Sequence, residues 1–194
     1  MEINNNSIRI KDVTTHLGTF DILSNNKLEV FSFIINANDF DYKNATEQLL
    51  ESVAEFALSR KIKKEYKDKP LALSKKAREK FRDYTENKGE LGEFFLYCFL
   101  EGHLGAPKIL SKLELKTAKN MYVNGADGLH YLKLVDGNYH LIFGESKVEK
   151  KLTDGLRHAF ESISDFKKGK NKKDNDKSGI MFERGLLNSN LDRE

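Results

Sequence analysis

The segment from Asp127 to Lys147 constrains the fold most, because it has the pattern of a β-hairpin. Residues 129–135 and 139–147 are both strand-like, and the dipeptide Asp136-Gly137 between them is a strong turn signal. The open end of such a hairpin would carry Asp127 on one strand and the tripeptide Glu145-Ser146-Lys147 on the other. The sequence therefore predicts two antiparallel strands that end in charged residues.

The pairing of these strands decides which charged groups meet. With a turn centred near residue 137, Asp127 would lie opposite Ser146 or Lys147, and the Cβ atoms of facing residues are about 5 Å apart. Side chains alternate between the two faces of a strand, so one face collects Leu141, Phe143, Glu145 and Lys147. That face begins in apolar residues and ends in charge.

Two carboxylates within a few ångströms repel each other, and a cation between them offsets this electrostatic repulsion. Hard oxygen ligands select Mg²⁺ or Mn²⁺, and a cation held by Asp127 and Glu145 could polarise a phosphate. Lys147 would orient the attacking water or offset charge on the phosphorane oxygens. The pattern thus indicates phosphodiester hydrolysis, with Asp127, Glu145 and Lys147 as catalytic residues.

The pattern Glu-x-Lys is common in a chain that is 32% charged, and it occurs five times, beginning at Glu65, Glu86, Glu114, Glu145 and Glu149. Only the occurrence at Glu145 ends an apolar strand and faces an Asp across a hairpin. The alternative stays open that Asp127 belongs to an ordinary turn and that Glu145 and Lys147 form an exposed pair.

A further acidic group precedes the apolar segment 94–100, which reads as a buried helix. Glu90 and Glu93 lie one turn apart at its start, within Gly89-Glu90-Leu91-Gly92-Glu93. The helix dipole explains one acidic residue there, but a second one among phenylalanines needs a cation or a donor. We therefore expect Glu93 to be a third metal or water ligand, with Glu90 as the alternative.

These motifs together resemble a known family. A helix Glu, then Asp127, then Glu145-Ser146-Lys147 is the order found in the PD-(D/E)xK nuclease superfamily. The strings at 89–93, 125–130 and 144–147 more narrowly resemble HamA, the nuclease family of the Hachiman anti-phage defence system. Ala126 stands where that family usually has Pro, a position that supplies no ligand. The chain ends while entering a predicted helix, so we expect a short or C-terminally truncated member.

The resemblance implies a metal-dependent DNA nuclease with Mg²⁺ or Mn²⁺ as cofactor. It also implies DNA and a superfamily 2-type, HamB-like helicase as partners. The implied fold is α/β (α+β), a restriction-endonuclease-like α-β-β-β-α core with an N-terminal α/β extension. We place the extension at residues 1–70 and the nuclease core at residues 71–194.

Hydrophobic patterns along the chain are consistent with this order of elements. Helices are predicted over 44–64 and 74–84, from Glu90 and from Thr153, and strands over 28–36, 109–116 and the hairpin. Residues 167–179 are rich in Lys, Asn, Asp and Gly, and we interpret them as a mobile loop that approaches DNA.

The net charge of +3 is unevenly distributed along the chain. Residues 1–59 hold 4 basic and 9 acidic residues, 60–88 hold 12 and 5, and 147–194 hold 12 and 9. Basic residues thus flank the acidic motifs, as a phosphate backbone would require, although each basic run could also be a solvated helix face. We expect DNA contacts from Lys150, Lys151, Arg157 and His158, while an ordinary surface role is the commoner outcome for His and Arg.

Several function classes are disfavoured. The sequence contains no nucleotide-binding Gly-x-x-x-x-Gly-Lys-Ser/Thr loop and no His-Glu-x-x-His zinc motif. Cys98 is the only cysteine, and we find neither a secretory signal nor a membrane span, so a cytoplasmic location without a membrane partner is expected. Two hypotheses remain: a metal-dependent nuclease, and a non-catalytic nucleic-acid-binding or regulatory subunit of a helicase complex.

Overall fold

A computed structural model describes residues 9–23, 26–80, 88–111, 113 and 126–168. Its elements in chain order are α1 (Ile10–Val13), β1 (Thr14–Leu23), β2 (Asn26–Phe33), β3 (Ile35–Asn36), β4 (Asp39–Phe40), α2 (Tyr42–Leu50), α3 (Val53–Ala57), α4 (Arg60–Glu65), α5 (Pro70–Lys80), α6 (Lys88–Cys98), a π-helical turn (Phe99–His103), β5 (Lys108–Ser111), β6 (Gly128–Lys133), β7 (Tyr139–Gly144) and α7 (Leu152–Lys167). The predicted α+β class is confirmed, and the elements from α6 to α7 follow the expected α-β-β-β-α order.

The strands β5, β6 and β7 form an antiparallel sheet in that order. The β6–β7 hairpin is paired from Gly128 with Gly144 to Lys133 with Tyr139, which centres its turn on Asp136. The turn was expected near residue 137, one residue from its observed centre, and the Asp127 amide donates to the Gly144 carbonyl at 2.9 Å just beyond the last pair. The observed pairing ends at Gly128 with Gly144, so the expected pairing of Asp127 with Ser146 or Lys147 stays a prediction.

Helices cover the two faces of this sheet. On one face α6 lies so close to the hairpin that a Cβ added at Gly144 would be 2.8 Å from Leu96 Cδ2. On the other face Phe166 of α7 packs against Phe143, with ring centroids 5.2 Å apart. The α6 helix, the sheet and α7 thus form three layers, and the open end of the hairpin lies between the two helices.

The main hydrophobic core combines residues from both sides of position 70. Its buried members are Ile10, Val13, Ala45, Leu49, Phe56, Ala57, Leu58, Ala77, Phe94, Tyr97, Cys98 and Leu113. The helices α1, α2 and α3 therefore pack on the same core as α6, and the domain boundary placed at residue 70 stays a prediction. In the described part of the chain, no helix is long and apolar enough to span a membrane.

Some predicted elements differ from the observed ones. The helix expected over 44–64 is three short helices, because Leu58 is extended (φ −120°, ψ 147°) and Ser59 starts a new helix by accepting a hydrogen bond from the Ile62 amide at 3.3 Å. The strand β1, which pairs with β2, was not predicted. The strand expected over 109–116 is observed at 108–111, and the predicted loop beyond residue 168 lies outside the described residues.

The close approach at Gly144 gives a stability prediction. We expect Gly144→Ala to destabilise the protein by about 1–2 kcal/mol, since the new methyl group would meet Leu96 Cδ2 at 2.8 Å and Leu100 Cδ1 at 3.3 Å. The matched control is Gly155→Ala within α7, where the nearest atom would be Glu149 Cβ at 3.6 Å. Because Ala favours a helix, this control should be neutral or slightly stabilising in urea unfolding. Equal stability of the two variants would contradict the packing described for α6.

Candidate active site

Asp127 is held in a defined orientation just before β6. Its side chain is buried, at 6% exposure, and its backbone amide donates to the Gly144 carbonyl at 2.9 Å. Its carboxylate atom Oδ2 accepts hydrogen bonds from the Ser146 amide at 2.9 Å and from Ser146 Oγ at 3.0 Å. Two donors from the opposite strand therefore fix the position of this carboxylate.

Glu145 and Lys147 follow β7, and their side chains meet. The Lys147 ammonium donates to Glu145 Oε1 in an ion pair. The side chain of Glu145 is 15% exposed, and that of Lys147 is 28% exposed. The contact is consistent with the predicted placement of both residues on one face. Glu145 also lines a cavity of about 240 Å³ with Phe143, Ile163 and Phe166, so its side of the hairpin faces α7.

The two helix carboxylates are both buried in α6, with residue exposures of 2% for Glu90 and 7% for Glu93. Gly92, between them, lies against the residues that follow β7, because a Cβ at Gly92 would be 3.2 Å from Ser146 Oγ. Among the residues that the structure describes, no three His, Cys, Asp or Glu side chains are grouped closely enough to hold a metal ion. Participation of Glu93, or of Glu90 in its place, stays a prediction.

The chemistry of the remaining donors fits a magnesium site. Mg²⁺ in enzymes commonly uses one or two protein carboxylates, and water and substrate phosphate oxygens complete its octahedron. Asp127 and Glu145 carry hard carboxylate oxygens next to the ends of two adjacent strands, and both are partly or fully shielded from solvent. Glu145 is already paired with one cationic group, the Lys147 ammonium.

The residues predicted to contact DNA lie beyond this site. Lys150 and Lys151 are exposed in the loop that leads from β7 to α7. Arg157 Nη2 pairs with Asp154 at 3.2 Å, and His158 Nδ1 contacts Glu149 Oε1 at 2.8 Å. The two lysines are thus presented to solvent, whereas Arg157 and His158 each contact an acidic residue, and DNA contact by these four residues stays a prediction.

A buried polar network supports the sheet from the α6 side, and no sequence pattern predicted it. Glu101, in the π-helical turn, accepts hydrogen bonds from Tyr97 Oη at 3.0 Å and from the Lys108 amide at 2.8 Å. The Lys108 ammonium donates to the carbonyls of Glu55 at 2.8 Å and Phe56 at 2.9 Å. Lys108 therefore ties the start of β5 to α3.

His130 is buried inside the protein. Its ring is 1% exposed, and Nδ1 donates to the Ala106 carbonyl at 2.7 Å. Burial lowers the pKa of His130 to about 4, with a smaller contribution from the positive charge of Lys108 and opposition from the bond to Ala106. Burial also disfavours the charged form of Cys98 and thereby raises the pKa of its thiol, and the negative charge of the nearby Glu101 raises it further. Cys98 therefore remains protonated and is no nucleophile.

The buried imidazole predicts an acid-sensitive fold. The pKa of His130 is 6.5 when unfolded and about 4 when folded, so the unfolded state binds the extra proton and stability falls as the pH decreases from 6.5 towards 4. This group alone should cost about 2 kcal/mol of unfolding free energy between pH 7 and pH 5. Urea unfolding of His130→Gln should show a correspondingly smaller loss over that range.

The exposed His140 provides the control for this measurement. His140→Gln should keep the pH dependence of the wild type, since His140 lies on the surface. An identical pH dependence in His130→Gln and the wild type would show that His130 does not titrate as its burial requires.

Two features of the site were missed at the level of sequence. No functional role was predicted for Ser146 from the sequence, yet both its amide and its hydroxyl donate to Asp127. Gly92 was read only as part of a motif, although the helix approaches the strand end there. A glycine within an otherwise bulky helix segment was the one available signal for this close contact.

Comparison with known proteins adds the family. A family model described as HamA matches residues 8–194, which includes all the motifs of the site. No curated protein and no solved structure matches the chain. With nearly its whole length matched, this chain belongs to the HamA family of the Hachiman anti-phage defence system.

Proposed function

We propose that this HamA-family chain is a metal-dependent DNA nuclease that hydrolyses phosphodiester bonds as the effector of anti-phage defence. One observation carries the proposal: Asp127 and the Glu145–Lys147 pair occupy the same end of the β6–β7 hairpin, with the Asp127 carboxylate fixed by two hydrogen bonds. An exposed turn with a surface ion pair would have no need for a buried carboxylate at that point.

Each residue has a role in the proposed reaction. Asp127 and Glu145 would hold Mg²⁺ or Mn²⁺, and Glu93 would be the third ligand, directly or through water. When bound, the cation supplies Lewis acidity to the phosphate oxygens and increases the acidity of water. Lys147 moves from Glu145 to the attacking water or to the phosphate oxygens, where its charge stabilises the transition state.

DNA is the proposed substrate because phosphates require positive charge near an acidic metal site. Lys150 and Lys151 are exposed immediately after the site, and they are suited to phosphates on either side of the cleaved bond. Since the sequence has no ATP-binding loop, DNA engagement driven by ATP requires a separate chain. A HamB-like helicase is the partner that the family resemblance implies.

The second candidate is a non-catalytic nucleic-acid-binding or regulatory subunit of a helicase complex. Within the described residues, the lack of a grouping of three potential metal ligands favours it. Retention of Asp127, Glu145 and Lys147 together favours the nuclease, because a binding module would not require all three groups at one end of a hairpin.

Cleavage assays distinguish the two functions. Plasmid and linear DNA would be incubated with the chain in Mg²⁺, Mn²⁺ or EDTA, with and without the cognate helicase. The nuclease proposal requires cutting that depends on the divalent cation. Folded protein that binds DNA but does not cut it under any of these conditions, even with the helicase, would establish the binding subunit instead.

A further inference from the structure

Ser146 contacts the proposed catalytic carboxylate through two different groups. Its backbone amide and its hydroxyl both donate to Oδ2 of Asp127, at 2.9 and 3.0 Å. A single hydrogen bond would still allow the carboxylate to rotate about its terminal torsion, which is a soft one. Two donors that converge on one oxygen restrict that rotation, and thereby determine where the other oxygen points.

The hydroxyl of Ser146 is itself confined by helix α6. A Cβ placed on Gly92 would lie 3.2 Å from Ser146 Oγ, 3.5 Å from Ser146 Cβ and 2.8 Å from Val148 Cγ2. The absence of a side chain at Gly92 therefore lets the helix cover Ser146 without displacing it. Ser146 lies between α6 and Asp127, whereas its neighbours Glu145 and Lys147 form an ion pair with each other.

We propose that Ser146 is a positioning residue that orients the Asp127 carboxylate for a divalent cation, and that Gly92 permits the packing of α6 that keeps the Ser146 hydroxyl in place. The inference rests on the proposed nuclease function. It assigns a role to the middle residue of Glu145-Ser146-Lys147, and it links the start of α6 to the metal site through a contact rather than through a ligand. Groups that orient a ligand typically change metal affinity or activity 10–100-fold when removed.

The test compares Ser146→Ala with Ser146→Thr. Alanine keeps the backbone bond to Asp127 but removes the hydroxyl, whereas threonine retains a hydroxyl on the same carbon. Mn²⁺ affinity, measured by isothermal titration calorimetry, should fall roughly 10–100-fold in Ser146→Ala and recover towards the wild-type value in Ser146→Thr. The Mg²⁺ concentration for half-maximal cleavage should rise in parallel, while the KM for DNA stays unchanged.

The helix contact has its own variant. In Gly92→Ala the new methyl group should displace Ser146 and Val148 and thereby weaken Mn²⁺ binding. Residue 92 is itself not a proposed metal ligand. Gly155→Ala in α7 is the control, and it should leave Mn²⁺ affinity as in the wild type. In Ser146→Ala the hydroxyl is already gone, so adding Gly92→Ala should weaken Mn²⁺ binding by less than it does in the wild type.

The outcomes are separable. If the wild type binds Mn²⁺ and cuts DNA but Ser146→Ala does both equally well, the positioning role is overturned and the nuclease stands. The positioning role would also be overturned if Ser146→Thr were as impaired as Ser146→Ala. It would likewise be overturned if Ser146→Ala lowered DNA affinity and melting temperature as much as it lowered Mn²⁺ affinity. A wild type that neither binds Mn²⁺ nor cuts DNA would remove the proposed function and this inference together.

Discussion

Replacing either proposed metal ligand, as Asp127→Asn or Glu145→Gln, is expected to lower Mg²⁺-dependent DNA cleavage at least about 100-fold while the protein remains folded. A Lewis acid contributes several kcal/mol to transition-state stabilisation, and each 1.4 kcal/mol changes a rate about tenfold. A neutral amide has the shape of the carboxylate but lacks the charge that attracts the cation. The loss should appear in kcat rather than in DNA affinity, since these variants leave the proposed phosphate contacts of Lys150 and Lys151 unchanged.

The local structure explains why these variants should fold. An amide oxygen at residue 127 can still accept the two hydrogen bonds from Ser146, and an amide oxygen at residue 145 can still accept one from Lys147. Glu161→Gln on the exposed surface of α7 is the control, and its cleavage rate should match the wild type. Wild-type cleavage by Asp127→Asn and Glu145→Gln would move the catalytic centre elsewhere.

The second large effect concerns stability. Lys108→Met should lower the free energy of unfolding by about 3 kcal/mol, because two carbonyl groups, those of Glu55 and Phe56, lose the ammonium that bonds them. Loss of a hydrogen bond to a buried or partly buried carbonyl costs roughly 1–3 kcal/mol, and the gain from no longer burying a charge offsets part of that cost. Urea unfolding should show a lower midpoint at an unchanged slope.

Lys133→Met on β6 is the matched control, because Lys133 is an exposed lysine of the same sheet. Its unfolding midpoint should stay close to that of the wild type, since surface substitutions usually change stability by less than about 0.5 kcal/mol. Equal midpoints for Lys108→Met and Lys133→Met would mean that the bonds from Lys108 to α3 contribute little to the fold.

The sequence alone determined the elements that depend on local signals. Alternating apolar residues around Asp136-Gly137 specify the β6–β7 hairpin, and the segment after Glu93 forms a buried helix because it is apolar on nearly every side. The same alternation predicted that Glu145 and Lys147 share a face, and their ion pair is consistent with it. Local patterns carry this information because strand and helix periods place side chains without reference to the rest of the chain.

The tertiary structure decided the details that depend on residues distant in the sequence. The turn is centred on Asp136, one residue from its expected position, and a pattern of period two could not fix that register to one residue. The packing of α6 at Gly92 and Gly144 gave Ser146 its contact with Asp127, and folding buried His130 and Lys108, which looked like ordinary polar residues in the sequence. Burial and hydrogen-bond partners are properties of packed layers, so the sequence names the candidate groups and the fold determines which of them act together.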